Sequence, residues 1–238
     1  MKHIGIICRK ELVSYLTSPM ASIVTAIFLL LSGTFFTTYL AGTHYTDTSI
    51  RGFLNAGRIL ILLFAVVLTM RLVAEEKKTG TWELLLTAPI RDAEIILGKF
   101  LASLAILIGM LVLTLYYPIL LLVFGDPDLG PMGTSYLGLL LLGSACLAIG
   151  IFASTLTSNQ IVSAVVAGGL LFGLWFLGAA SELAPGALGE VLSYLSLSRH
   201  FPDFMRGIVD TKDIVYYLSV TVLFLYLATG SIETGRWR

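Results

Sequence analysis

Charged side chains are scarce in this sequence of 238 residues. Asp, Glu, Lys and Arg together make up 13% of it, hydrophobic residues make up 57%, and the mean hydropathy is +0.91. A soluble domain carries roughly 25% charged residues, so the composition excludes a water-soluble fold and predicts an all-α integral membrane protein. Fifteen basic and fifteen acidic residues cancel, so nucleic acid is not an expected partner.

Cysteines and nucleotide-binding motifs are equally sparse. Cys8 and Cys146 cannot build a disulfide framework, and no Cys/His cluster predicts a metal site. The phosphate-binding pattern G-x-x-x-x-G-K-[ST] is absent, so we expect neither ATPase activity nor a cofactor in this chain. The apolar runs also lack the Asp, Glu and His residues that proton-coupled carriers bury, which disfavours a self-contained carrier.

Long apolar runs predict six membrane-spanning helices. A helix needs about 20 apolar residues to cross a hydrocarbon core of roughly 30 Å. Runs of this length lie near residues 21–41, 53–74, 100–124, 136–156, 161–180 and 214–232. The fourth and fifth share one uncharged stretch, Leu129–Ser181, which we divide at the polar cluster Thr157–Gln160. An even number of spans places both termini on one side of the membrane.

Lys and Arg residues are distributed unequally between the two sides. Ten lie in the N-terminus, the loop after span two and the C-terminus, and four lie in the opposite loops. The positive-inside rule therefore predicts cytoplasmic termini. Residues 1–19 are predicted to form an interfacial helix with a basic face toward lipid headgroups. Glu11 falls among the apolar residues of this helix, where it either pairs with Lys10 or another basic neighbour or contacts a cytoplasmic partner.

The cytoplasmic loop 75–99 is predicted to hold a short helix between two membrane helices. Gly80 is expected to end the helix that leaves span two, and Trp82–Thr87 is expected to form the new helix before Pro89 stops it. Asp92 is expected to cap a second helix that runs into span three. Its bulky apolar residues have no partner within so short a loop. Exposed apolar residues in such a place are typical of a protein contact.

The outer loop 182–213 and one charge inside span two complete the pattern. Ala187–Leu197 and Phe204–Val209 are predicted to form short helices in the outer interface. Arg58 lies about five residues into span two, where it either reaches back to the outer headgroups or faces a subunit interface and binds an anionic group. With Tyr116 and Tyr117 of span three, it is our candidate for an intramembrane or substrate-path residue.

Several sequence stretches resemble one transporter family. The run that begins at Met70-Arg71 and continues through Glu75-Glu76 and Gly80–Pro89 to Gly98-Lys99 resembles the coupling region of ABC-2 type permease subunits. The similarity is greatest to their gliding-motility-associated, GldF-like branch. Three further stretches match that branch: Lys10-Glu11 through Ser18-Pro19, Tyr194–Ser196 with His200-Phe201, and Arg206-Gly207 with Asp210.

This resemblance implies a transmembrane permease subunit of an ATP-driven transporter in the bacterial inner membrane. Its implied partners are a second permease subunit (a second copy or a paralogue), two copies of a separate ABC ATPase that binds ATP and Mg, and an accessory periplasmic or membrane-anchored subunit. It also implies an N-terminal interfacial helix, a coupling helix after span two and short re-entrant helices between spans five and six. The residues expected at the ATPase interface are Glu11, Glu76, Thr81, Trp82, Glu83, Leu85, Leu86, Pro89 and Arg91.

Two other functions remain open from the residues alone. The chain could be a self-contained channel or carrier, which would be active in liposomes without an ATPase. It could also be a non-transporting membrane anchor that assembles other proteins, in which case ATP turnover would proceed without substrate movement.

Overall fold

The structure is a computed structural model that describes residues 2–42, 51–82, 90–125, 127–184 and 186–236. Within these ranges the long regular elements are all helices: α1 Lys2–Thr17, α2 Pro19–Gly42, α3 Arg51–Thr69, α4 Ala74–Thr79, α5 Asp92–Thr114, α6 Tyr116–Phe124, α7 Leu129–Thr155, α8 Gln160–Leu183, α9 Ala187–Leu195, α10 Pro202–Met205 and α11 Thr211–Arg236. The predicted all-helical, six-span class is confirmed. The candidate spans are Pro19–Gly42, Gly52–Thr79, Asp92–Phe124, Leu129–Thr155, Gln160–Leu183 and Thr211–Thr234.

Two spans begin earlier than their apolar runs. Span three starts at Asp92, where the sequence predicted the second helix of the cytoplasmic loop, so Lys99 lies inside the helix rather than before it. Span four starts at Leu129, because the Asp128 carboxylate accepts a hydrogen bond from the Gly130 N–H at 3.1 Å and caps the first turn. Polar capping groups rather than hydropathy therefore set these two starts.

Span four is the central helix of the bundle. In the apolar stretch of span four, 83% of the residues are buried inside the protein, whereas 22–44% are buried in the corresponding stretches of the other spans. A side chain at Gly143 would collide with Leu107, and one at Gly150 would collide with Thr69. Spans two and three therefore pack directly against the backbone of span four, a close approach that small residues permit.

Spans two and three are each interrupted. Span two loses its regular helix at 70–73, between α3 and α4, and it ends at Gly80, whose φ of 74° confirms the predicted left-handed stop. Span three is interrupted at Leu115, because Pro118 has no N–H to donate to the Thr114 carbonyl. That carbonyl instead accepts from the Tyr136 hydroxyl at 3.1 Å.

The segment between spans five and six is packed into one end of the bundle. Leu197, Phe201 and Phe204 are fully buried there. The second short helix is α10, Pro202–Met205, rather than the predicted 204–209. Pro202 favours the first helical turn and Gly207, with φ of 87°, follows its end.

Candidate functional site

The interruption in span two is stabilised by polar groups from two other spans. The hydroxyl of Ser154, in span four, accepts hydrogen bonds from the Val73 and Ala74 N–H groups at 3.1 and 3.0 Å. The carbonyl of Leu72 accepts from the Lys99 ammonium, in span three, at 2.6 Å. Buried backbone groups need such partners, so the break is specified by side chains outside span two.

Lys99 is the centre of a buried ion cluster. Its ammonium lies 3.0 Å from Glu11 Oε1 and 2.8 Å from Glu76 Oε2, in addition to the Leu72 carbonyl. The ammonium donates hydrogen bonds to Glu11 Oε1 and to the Leu72 carbonyl, and it forms an ion pair with Glu76. These three partners belong to α1, the segment just before α4 and α4, so one side chain joins elements that are distant in sequence.

Lys10 completes the charge balance of this cluster. Its ammonium lies 3.0 Å from Glu76 Oε1 and 3.4 Å from Glu11 Oε1. Burial by itself lowers the pKa of Lys10, but the hydrogen bond and charge of Glu76, followed by those of Glu11, raise that pKa above its usual value. Two cations and two anions therefore compensate each other.

Burial makes the cluster sensitive to the loss of Lys99 or of either carboxylate. The Lys99 side chain is 0% exposed, and those of Glu11 and Glu76 are each 15% exposed. A buried charge that loses its partner costs several kcal/mol. The four residues, which we call the Lys99 cluster (Lys10, Glu11, Glu76 and Lys99), therefore keep α1, α4 and the start of span three together.

A second contact ties α4 to the end of span four. The Lys77 ammonium donates to the carbonyl of Thr155, the last residue of that span, and lies 5.9 Å from the centre of the Trp82 ring. Trp82 is buried within this chain. Its indole is therefore covered here by neighbouring groups, and a contact with an ATPase stays a prediction.

The structure brings together only some of the predicted interface residues. Glu11 and Glu76 belong to the Lys99 cluster, which agrees with the pairing alternative for Glu11. Thr81 and Arg91 are exposed, and they lie on either side of the segment 83–89. The predicted coupling helix itself lies outside the described residues, together with Glu83, Leu85, Leu86 and Pro89.

Arg58 has partners that neither sequence-based alternative named. Its guanidinium carbon lies 5.3 Å from the centre of the Trp175 ring and 5.1 Å from that of Phe201. Its Nε donates to the Asn55 carbonyl at 3.3 Å, and its terminal nitrogen donates to the Asn55 side chain. Cation–π contacts of this length are attractive, so Arg58 connects span two to span five and to the outer segment.

The two tyrosines proposed beside Arg58 lie in different environments. The Tyr117 hydroxyl donates to the Leu29 carbonyl at 3.1 Å, and its ring packs against Phe36 and Phe53 at centre distances of 4.9 and 5.2 Å. Tyr116 is 60% exposed. Tyr117 thus packs spans one, two and three together, whereas Tyr116 faces outward.

Sequence reasoning missed Lys99 and Ser154 as site residues. A lysine directly before an apolar run is usually a boundary residue, and a serine in a span has no distinctive pattern. The available signal was the presence of Glu11 and Glu76 in other cytoplasmic segments, since buried carboxylates need a cation. Among the described residues, no group of three or more His, Cys, Asp or Glu side chains could hold a metal ion.

Comparison with known proteins identifies the family. A family model described as ABC-2 family transporter protein matches residues 6–237. The chain is also similar to the probable multidrug ABC transporter permease YbhS of Escherichia coli, from strains K12 and O157:H7, with 27% identity over 174 residues in each. That match covers 72% of this chain and 46% of each relative, so the chain spans about half the length of the curated relatives it matches. Since the family model covers almost the whole chain, this six-span membrane protein belongs to the ABC-2 family of transporter proteins.

Proposed function

We propose that the chain is the permease subunit of an ATP-driven ABC-2 transporter and that a separate ABC ATPase powers it through the segment between spans two and three. The family membership and the name of the E. coli relatives, which are permeases of ABC transporters, support this proposal. The sequence supports it as well, because it contains no phosphate-binding motif of its own. ATP and Mg would bind to the partner ATPase.

The observation that carries the coupling proposal is the Lys99 cluster. The segment 83–89 is flanked by Trp82, next to α4, and by the first two turns of span three, which include Lys99. Both flanks are held to α1 by the same four charges. A displacement of the segment by an ATPase would therefore move α4, α1 and span three as one unit. Spans one and three would tilt in response and open a path at the subunit interface.

The partners follow from this proposal. Two ATPase subunits would act on two permease subunits, the second being another copy or a paralogue. The resemblance to the GldF-like branch adds an accessory periplasmic or membrane-anchored subunit and a force-transmitting role. The multidrug name of the relatives favours substrate export across the bacterial inner membrane, with both termini in the cytoplasm.

Co-purification with the ATPase tests the interface. In Glu83→Arg we expect loss of the ATPase from the purified complex, since a desolvated charge contact that loses its partner costs roughly 2–5 kcal/mol. Glu190→Arg, an exposed charge reversal in the outer segment, is the matched control and should retain the ATPase. Unchanged ATPase yield and ATP turnover in Glu83→Arg would remove this residue from the interface.

Reconstitution tests the transport function. Liposomes that contain the permease and its ATPase should move substrate only when ATP is present. Movement in liposomes without the ATPase would overturn the proposal in favour of a self-contained carrier. ATP turnover without movement of any substrate would overturn it in favour of an anchor.

A further inference from the structure

A cavity beside the Lys99 cluster has features that the coupling proposal does not use. Its volume is about 370 Å³, and it opens between α1, span two and span three. Arg71 and Tyr15 line it near the interruption of span two, and Leu68 and Ile106 line the part that is deeper in the spans. The cavity therefore combines a polar mouth with an apolar interior at the end of the bundle that holds the N-terminus.

Arg71 is a cation without a carboxylate partner in the part of the chain that the structure describes. Its guanidinium carbon lies 5.1 Å from the centre of the Tyr15 ring, and its Nη1 lies 3.1 Å from the sulfur of Met20. Neither contact neutralises the charge. Lys10 and Lys99, in contrast, each contact two carboxylates.

Tyr15 supplies a second unsatisfied group on the same wall. The residue is only 7% exposed, and its hydroxyl is buried without a hydrogen-bond partner within the described chain. Burial raises the pKa of the Tyr15 phenol, and the charge of Arg71 only partly opposes the rise. The phenol therefore keeps its proton at neutral pH and is a hydrogen-bond donor. Buried polar groups normally have partners, so this hydroxyl indicates a ligand.

Among the charged groups of the cavity, only Glu75 opposes Arg71. Three carboxylates line it. Those of Glu11 and Glu76 are balanced by Lys10 and Lys99, and that of Glu75 is exposed at the surface. A guanidinium and a phenol that both donate hydrogen bonds match a tetrahedral anion with several acceptor oxygens.

We propose that Arg71 and Tyr15 bind a phosphoryl group, either the headgroup phosphate of a membrane phospholipid or a free phosphate. The guanidinium donates to two of its oxygens and the phenol donates to a third. In the lipid case the acyl chains lie along Leu68 and Ile106. The bound group contacts α1 and span two at the same time, so it strengthens the contact between α1 and span two that the Lys99 cluster also supports. This inference does not depend on the transport function.

Native mass spectrometry of the detergent-purified protein tests the site. The probes are phosphatidylglycerol, diacylglycerol with the same acyl chains, and inorganic phosphate. We expect Arg71→Gln to retain at least about tenfold less phosphatidylglycerol than the unmodified protein, the loss typical of a charge-assisted hydrogen bond. Tyr15→Phe should lose severalfold, and diacylglycerol should not be retained.

Control variants separate this site from general attraction to lipid. Arg9→Gln removes an exposed cation from α1, the helix that carries Tyr15, and should leave the retention of phosphatidylglycerol unchanged. Glu75→Gln should increase retention, because it removes the opposing charge, and it tests the site even if Arg71→Gln does not fold. If phosphatidylglycerol is retained in an Arg71-dependent way and inorganic phosphate does not displace it, the ligand is the lipid. If only inorganic phosphate binds, the ligand is the free anion. Equal retention in Arg71→Gln, or equal losses in Arg9→Gln and Arg71→Gln, would overturn the proposal.

Discussion

Lys99, near the end of the bundle that holds the termini, and Arg58, near the opposite end, are both cations inside the protein, but they have different partners. Lys99 contacts two carboxylates and a carbonyl from three separate segments. Arg58 lies between two aromatic rings and contacts Asn55 on its own helix. The Lys99 charge is therefore compensated by carboxylates, whereas the Arg58 charge lies between aromatic rings.

This difference has a physical consequence for movement. Ion pairs attract over longer distances than ring contacts, and partners on separate segments keep part of this attraction while those segments shift. Aromatic contacts depend on close packing and are lost after small displacements. We therefore expect the Lys99 contacts to persist through a small displacement of their segments and the Arg58 contacts to be lost. Four substitutions test this contrast, in order of decreasing effect.

Removal of the Lys99 charge should have the largest effect. Lys99→Met leaves Glu11 and Glu76 with only Lys10 to balance them, so we expect the free energy of unfolding to fall by about 3–5 kcal/mol. Thermal unfolding in detergent measures the change. The triple variant Lys99→Met, Glu11→Gln, Glu76→Gln should recover most of the loss, since no buried charge then lacks a partner. An unchanged melting temperature in Lys99→Met would contradict the role of the cluster.

Loss of the Ser154 hydroxyl should have the next largest effect. Ser154→Ala leaves the Val73 and Ala74 N–H groups without their acceptor. An unsatisfied buried donor costs about 1–3 kcal/mol, so we expect a loss of about 2–4 kcal/mol in unfolding free energy. Ser163→Ala is the matched control, because the Ser163 hydroxyl is buried without a partner in the described chain and its removal should be neutral. Similar losses in both variants would indicate a general effect of serine removal.

Replacement of Arg58 tests its contacts with the two aromatic rings. Arg58→Met keeps an unbranched apolar stem but removes the cation from between the rings, and we expect a loss of about 1–2 kcal/mol in unfolding free energy. Arg206→Met, an exposed arginine at the same end, should change stability little. If Arg58→Gln retains full stability and loses only substrate-linked activity, Arg58 acts in the substrate path and not in packing.

The smallest expected effect concerns Tyr136. Tyr136→Phe removes the hydrogen bond to the Thr114 carbonyl and should lower the unfolding free energy by about 1 kcal/mol. Tyr226→Phe is the control, because Tyr226 is 75% exposed. A loss in Tyr136→Phe as large as that in Lys99→Met would remove the energetic contrast between the two ends.

The class of fold follows from the sequence because the apolar runs are long and few charges interrupt them. The chain reverses between spans four and five at 156–159, which overlaps the polar cluster Thr157–Gln160 that predicted a turn. Span lengths were harder to predict. The α4 extension of span two and the first two turns of span three contain several charged residues, so hydropathy does not report their helical state. For span three the capping pattern at Asp92 did predict the start.

The Lys99 cluster could be predicted only in fragments. The sequence places Glu11 and Glu76 on the cytoplasmic side, but Lys99 and Glu11 are 88 positions apart, and nothing local pairs them. Arg58 presents the same difficulty, since Trp175 and Phe201 come from later elements. Contacts between distant segments depend on how the helices pack, and a single sequence does not encode that packing in a readable pattern.

The proline break in span three sets where this helix bends. Pro118 removes one backbone hydrogen bond next to Leu115, so the bending stiffness of the helix is lowest there. Below this point α5 is an uninterrupted rod of 23 residues, about 34 Å long at 1.5 Å per residue. In the proposed coupling, a rotation that starts at Lys99 would tilt α5 while the nine residues of α6 keep their orientation. Span three would then bend at a hinge near Leu115, and a small bend angle there would displace the N-terminal end of α5 by several ångströms.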